Sequence, residues 1–261
     1  MDLDRKISKY SVVVGAFATA ALVMFTVSLV SPIYTIHFRQ ESMVNANTHR
    51  LVVDDQVFFS YKCYHSHQVN NSRRYSWVDS SYPRMNSILS LSATLLIISI
   101  IFLILFGINM VPIKKVGATR FQVLGFILVS ITTALTFVSL LLFSGTPNAL
   151  RYTTQAGGDP TCIQRNRFVH QCASHMGSDK DGDSEYKWGF NLGFWAEVAG
   201  FLLLIVIIPL YVKIIRLLSQ ERQLDIQNVE AANNTEPKEP EHIVVGVSQD
   251  IVYGIDEVDE K

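Results

Sequence analysis

Four long blocks of this chain carry almost no Lys, Arg, Asp or Glu. They run from Tyr10 to Ile36, Ser87 to Ile113, Phe121 to Ser144 and Trp188 to Val212, and Glu197 is the only charge inside any of them. A helix rises about 1.5 Å per residue, so about 20 residues cross the roughly 30 Å hydrocarbon layer of a bilayer. Each block is long enough. Only 17% of the 261 residues are charged, against about 25% in an ordinary soluble domain. The expected fold is an all-α membrane protein, a bundle of four transmembrane helices. The first block is too long for the core of a typical signal peptide, and no clear small-residue cleavage site follows it, so it reads as a retained span.

The flanks of the blocks set the expected orientation. The connection 114–120 holds Lys114, Lys115 and Arg120 and no acid. The stub 1–9 holds Arg5, Lys6 and Lys9, and the fourth block runs out into Lys213, Arg216 and Arg222. Short flanks rich in Lys and Arg stay in the cytoplasm. This places the stub 1–9, the turn 114–120 and the tail 213–261 inside, and the loops 37–86 and 145–187 outside. The Asn70-Asn71-Ser72 sequon then lies outside and is a candidate for glycosylation at Asn70, whereas Asn233-Asn234-Thr235 lies inside and would stay bare. Cys63, Cys162 and Cys172 all fall in the outer loops, where disulfides persist. Cys162 with Cys172 is the leading pairing, because they are close in sequence; a bond from Cys63 to either is the alternative.

The outer loops carry a β signal. Residues 50–64, RLVVDDQVFFSYKCY, are rich in Val, Phe and Tyr and suit two strands with a turn at Asp54-Asp55. Val57, Phe59, Tyr61 and Cys63 alternate and would line one face. A small extracellular β-rich cap on the bundle is therefore expected. In GSDKDGDSEY, the acids Asp179, Asp181, Asp183 and Glu185 offer oxygen ligands for calcium, but the spacing departs from the EF-hand loop. A solvated acidic turn is the plainer reading. His65 and His67 stand two apart with no obvious further zinc ligands, so a polar turn is the plainer reading there too.

Within the spans, the small residues Gly15, Ala16, Ala18, Thr19 and Ala20 offer a helix-packing seam. Ser90, Ser92 and Thr94 in the second block and Ser130, Thr132, Thr133 and Thr136 in the third are hydroxyls that can bond their own backbone or a neighbouring helix. Glu197 lies nine residues after Trp188, which corresponds to roughly 13 Å of helix, and Asn191 stands above it on a partly shared face. An ionised carboxylate at such depth costs at least a few kcal/mol, so intramembrane acids mark functional or tightly bonded positions. The expected uses are a protonated acid held by hydroxyls of the second and third spans, a docking point for another membrane helix, or an ion or proton site.

The tail from Ser219 onward has eleven acids against three bases and ends in a stretch, HIVVGVSQDIVYGIDE, apolar enough to bind a cytosolic partner. The fourth helix is expected to continue through KIIRLLSQERQL, with ANNTEPKEPEH disordered beyond it. No nucleotide loop, nucleophile elbow or metalloprotease helix occurs, so no catalytic residue, cofactor or nucleic-acid partner is expected.

The plan of a short N-terminus, a strand-like first loop of about 50 residues, a short inner turn, a second loop and a cytoplasmic tail resembles the claudin-like superfamily. That superfamily comprises claudins, the peripheral-myelin and epithelial-membrane proteins, and the gamma subunits of calcium channels. Tyr186-Lys-Trp188-Gly-Phe190 looks like the Tyr-x-Trp-Ser-Phe stretch before the fourth span of the gamma subunits, and SYPRMNSILSLSATLL is similar to theirs before the second. The first loop differs: Cys63 stands without a second cysteine and there is no Gly-Leu-Trp. The resemblance implies a non-enzymatic plasma-membrane protein in adhesion or junctions, or an accessory subunit of a channel, working through its outer loops and helix faces on copies of itself or on other membrane proteins. A small transporter or pore-former using Glu197 is the other functional expectation, and residence in endomembranes is the other location.

Overall fold

A computed structural model describes residues 2–43, 50–61, 63–68, 71–76, 83–110, 119–147, 149, 174–181 and 184–235. Four helices are long and apolar enough to cross a membrane: α1 (Asp2–Val30), α2 (Pro83–Met110), α3 (Thr119–Leu142) and α4 (Leu192–Thr235). Their outward surfaces carry exposed Val, Leu, Ile and Phe side chains, such as Val12, Ile101, Ile127 and Leu202. An apolar exterior of this kind suits lipid, and it would be costly in water. The chain is a multi-pass membrane protein.

The chain divides after Ser219, and the described part of the second unit is the last stretch of α4, residues 220–235. Leu224, Ile226 and Val229 are exposed there.

The cap is one antiparallel sheet of six strands. β1 (Tyr34–Met43), β2 (Arg50–Phe59), β3 (Cys63–Gln68) and β4 (Asn71–Ser76) follow α1, and β5 (Gly177–Asp181) and β6 (Ser184–Phe190) precede α4. The strand order is β4-β3-β2-β1-β6-β5. The last strand before α4 therefore pairs with the first strand after α1, and the sheet closes the chain between those two helices. In register, Tyr34 lies opposite both Phe59 and Phe190, and Ile36 opposite both Val57 and Trp188. Alternation puts these two cross-strand rows on one face. Tyr34 and Phe59 are fully buried, and Ile36, Val57 and Phe190 pack beside them. Phe190 stacks on Phe194 of α4 with ring centroids 3.9 Å apart, and Phe143 meets both edge-on at 6.2 and 5.4 Å. Burying an aromatic ring of this kind contributes about 1.5–3 kcal/mol, so this layer holds the sheet on the bundle.

Several expected boundaries shift. α1 ends at Val30 rather than at 36, because Tyr34, Thr35 and Ile36 enter β1. The fourth span starts at Leu192 rather than Trp188, because Trp188 and Phe190 are held in β6 by pairing with β1 and β5. Asp54-Asp55 is no turn: β2 runs straight through it, with Asp54 opposite Arg39, and the chain reverses after Phe59. Val57 and Phe59 do share the inward face, but Cys63 begins the next strand. Helix also persists into the stretch expected to be disordered, as far as Thr235. On α1 the buried seam is Val14, Ala18, Ala21 and Phe25, spaced by three or four residues, while Gly15, Ala16 and Thr19 face outward.

The end of the bundle away from the cap has its own ties. Tyr211 of α4 donates to the Gln122 carbonyl (3.2 Å), and Asn109 of α2 donates to the Phe121 carbonyl (2.8 Å). Lys213 sits 4.6 Å over the Tyr10 ring and links α4 to α1.

Candidate functional site

Glu197 is fully buried. Because α4 begins at Leu192, the carboxylate lies about 7.5 Å along the helix, shallower than the distance counted from Trp188. The elements around it each bring one hydroxyl. Tyr61, at the reversal between β2 and β3, reaches down from the cap and donates to Glu197 Oε2 at 2.8 Å. Ser28, close to the end of α1, donates to the same oxygen at 3.4 Å. Ser92 of α2 lies 3.1 Å from the Tyr61 hydroxyl, and Ser139 of α3 lies 2.6 Å from Ser92. All four helices and the cap thus meet in one buried cluster.

A consistent set of hydrogens runs through it. Each hydroxyl has one hydrogen to give, and an ionised carboxylate only accepts. Ser139 can donate to Ser92, Ser92 to Tyr61, and Tyr61 to Oε2, so the chain of donors converges on the carboxylate. Burial and the neighbouring charge of Glu197 push the Tyr61 phenol well above its usual pKa, so it stays a donor. Glu197 Oε1 is also buried but has no hydrogen-bond partner among the described residues.

The backbone that frames the cluster explains how it is held. Ser31, Pro32 and Ile33 join α1 to β1, and Asn191 joins β6 to α4. The Ile33 amide donates to Phe59 O (2.7 Å), the Asn191 amide to Ile33 O (2.8 Å) and the Gly193 amide to Pro32 O (2.8 Å). The Gly193 bond uses an amide that the first turn of α4 leaves without an intrahelical partner. A Cβ on Gly193 would fall 2.8 Å from Pro32 O and 3.0 Å from Ser31 O. Gly200, one turn below Glu197, lies against the Phe25 ring, which leaves no space for a side chain.

Of the residues singled out from the sequence, Glu197 and Ser92 are in the cluster. Asn191 is not: its amide donates to Thr35 Oγ1 (2.6 Å), and its oxygen accepts from the Leu192 amide (2.7 Å), so it fastens the start of α4 to β1. Ser90 and Thr94 face outward and bond within α2. Thr132, Thr133 and Thr136 bond back to their own helix, with Thr136 also reaching Ser99 of α2 at 3.4 Å. Sequence reasoning placed Tyr61 on a strand face without linking it to Glu197, and missed Ser28 and Ser139. The spacing Thr132, Thr136, Ser139 and the pair Ser92, Ser99, one helical face each, was the available signal.

Asp179 and Asp181 lie on β5 and Glu185 on β6. Lys187 pairs with Glu185 at 2.8 Å and lowers its carboxyl pKa. No group of three or more His, Cys, Asp or Glu suited to a metal ion occurs among the described residues, which do not include Asp183. Cys63 opens β3, and His65 and His67 follow in that strand. Asn70, Cys162 and Cys172 lie outside the described residues. No family model matches the chain, and no curated protein matches it.

Proposed function

We propose that this chain is a non-enzymatic four-pass protein of the plasma membrane, claudin-like in plan, whose cap recognises other membrane proteins in adhesion or as an accessory subunit of a channel. Both termini are cytoplasmic in this reading and the sheet is outside. The observation that supports it is the Tyr61–Glu197 bond within a cluster drawing on every helix. A cap fixed in this way is a rigid recognition surface, and what binds it is coupled to the helix faces in the lipid. The strand-built first loop, joined through β1 to the strand before the fourth span, fits the claudin-like plan.

A small carrier or pore using Glu197 is the second reading, favoured by the burial of a carboxylate inside the bundle. The hydroxyls bonded around Glu197 favour the first, because they serve to fix the side chain in place. The test is purification of the full chain in mild detergent, with identification of co-purifying membrane proteins, for the wild type and Y61F. An accessory or adhesion protein retains a specific channel or junction partner, and Y61F weakens that retention. Cation flux into proteoliposomes that E197Q abolishes, with no partner retained, would replace this reading by the carrier.

A further inference from the structure

Glu197 leaves an imbalance that the hydroxyls do not remove. Oε2 receives two donors, Tyr61 and Ser28, whereas Oε1 is equally buried and receives none among the described residues. Glu197 is the only charged residue buried among those residues. A buried charge without a counter-charge costs several kcal/mol. A proton on Oε1 would find no acceptor there, and a proton on Oε2 would need the Tyr61 or Ser28 hydroxyl to turn its hydrogen away.

The surrounding groups have the chemistry of a small hard cation site. Each serine hydroxyl keeps lone pairs while it donates its hydrogen. Ser28 bonds the carboxylate, Ser92 lies 3.1 Å from the Tyr61 hydroxyl that bonds the same oxygen, and Ser139 lies 2.6 Å from Ser92. Oxygen ligands of this kind suit alkali and alkaline-earth cations rather than soft metals. One carboxylate balances one positive charge. A divalent ion would be left with a net charge in the same low-dielectric surroundings, and Glu197 is the only acid buried among the described residues.

We propose that Glu197 Oε1, with the hydroxyls of Ser28, Ser92 and Ser139, binds a single sodium ion that fastens the cap to the bundle. This rests on the locking role assigned above to the same cluster. With the cap outside, the ion comes from the side where sodium is the abundant small cation.

The test is thermal unfolding of the full chain in detergent at constant ionic strength, with sodium chloride exchanged for choline chloride or potassium chloride. Sodium raises the unfolding midpoint saturably, by about 2–4 °C once its concentration is about fivefold above the dissociation constant. Choline gives no rise. E197Q abolishes the sodium effect, and S139A moves its midpoint to higher sodium; if E197Q does not fold, S139A carries the comparison. Equal midpoints for the wild type in sodium and choline overturn the site. Partner retention is read in the same preparations. A retained partner with no sodium effect removes the ion alone, whereas a lost partner with the sodium effect intact removes the functional reading alone.

Discussion

Replacing Tyr61 with Phe removes one oxygen and keeps the ring. That oxygen donates to Glu197 Oε2 at 2.8 Å and lies 3.1 Å from Ser92 Oγ. A hydrogen bond to a charged group is worth about 1.5–3 kcal/mol. Hydrogen bonds between helices inside a bilayer average nearer 0.6 kcal/mol, because a helix left in the membrane finds other partners. Tyr61 belongs to the cap, which unfolds away from the helices, so Glu197 has no substitute hydroxyl of equal reach and the larger range applies. Y61F is therefore expected to destabilise the protein by about 1.5–3 kcal/mol, which is roughly a ten- to 150-fold change in the folding equilibrium. The assay is reversible denaturant or steric-trap unfolding in detergent of the wild type, Y61F, E197Q and the double variant. The two substitutions should couple by about 1 kcal/mol or more, because they break the same bond. A Y61F protein within about 0.3 kcal/mol of wild type, or a coupling no larger than that, would refute the idea that this bond fastens the cap.

Three further outcomes are expected. Gly193→Ala drives a Cβ against the Pro32 and Ser31 carbonyls, which are backbone and cannot rotate away, so a loss of about 1–3 kcal/mol should appear as a lower unfolding midpoint. The Tyr61 phenol titrates above its usual value of 10.0, so its contribution to stability is complete below about pH 10 and is lost as pH rises through the folded value. Wild type and Y61F should accordingly form the same number of phenolates up to the pH of unfolding; one additional phenolate in the folded wild type near pH 10 would contradict this. Glycosidase digestion should shift the wild type but not N70Q, and an epitope tag after Lys261 should need permeabilisation for staining; a tag reached on intact cells would reverse the orientation.

The four spans and the β character of the first loop are legible in the sequence because each depends on local composition: runs of apolar residues long enough for a bilayer, and β-branched and aromatic residues in alternation. Glu197 was visible for the same reason, as the one charge in four apolar blocks. Its partners were not. Ser28, Tyr61 and Ser139 are separated from it by long stretches of chain, and each is an ordinary residue where it stands. Helix boundaries at 30 and 192 were hidden likewise: Ile36 and Trp188 are apolar enough to extend a span, and only their pairing across β1 and β6 draws them into the sheet. Composition decides that a segment leaves water. Which oxygen faces which carboxylate depends on the packing of helices and strands distant in sequence, and that is fixed only when the sheet closes over the bundle.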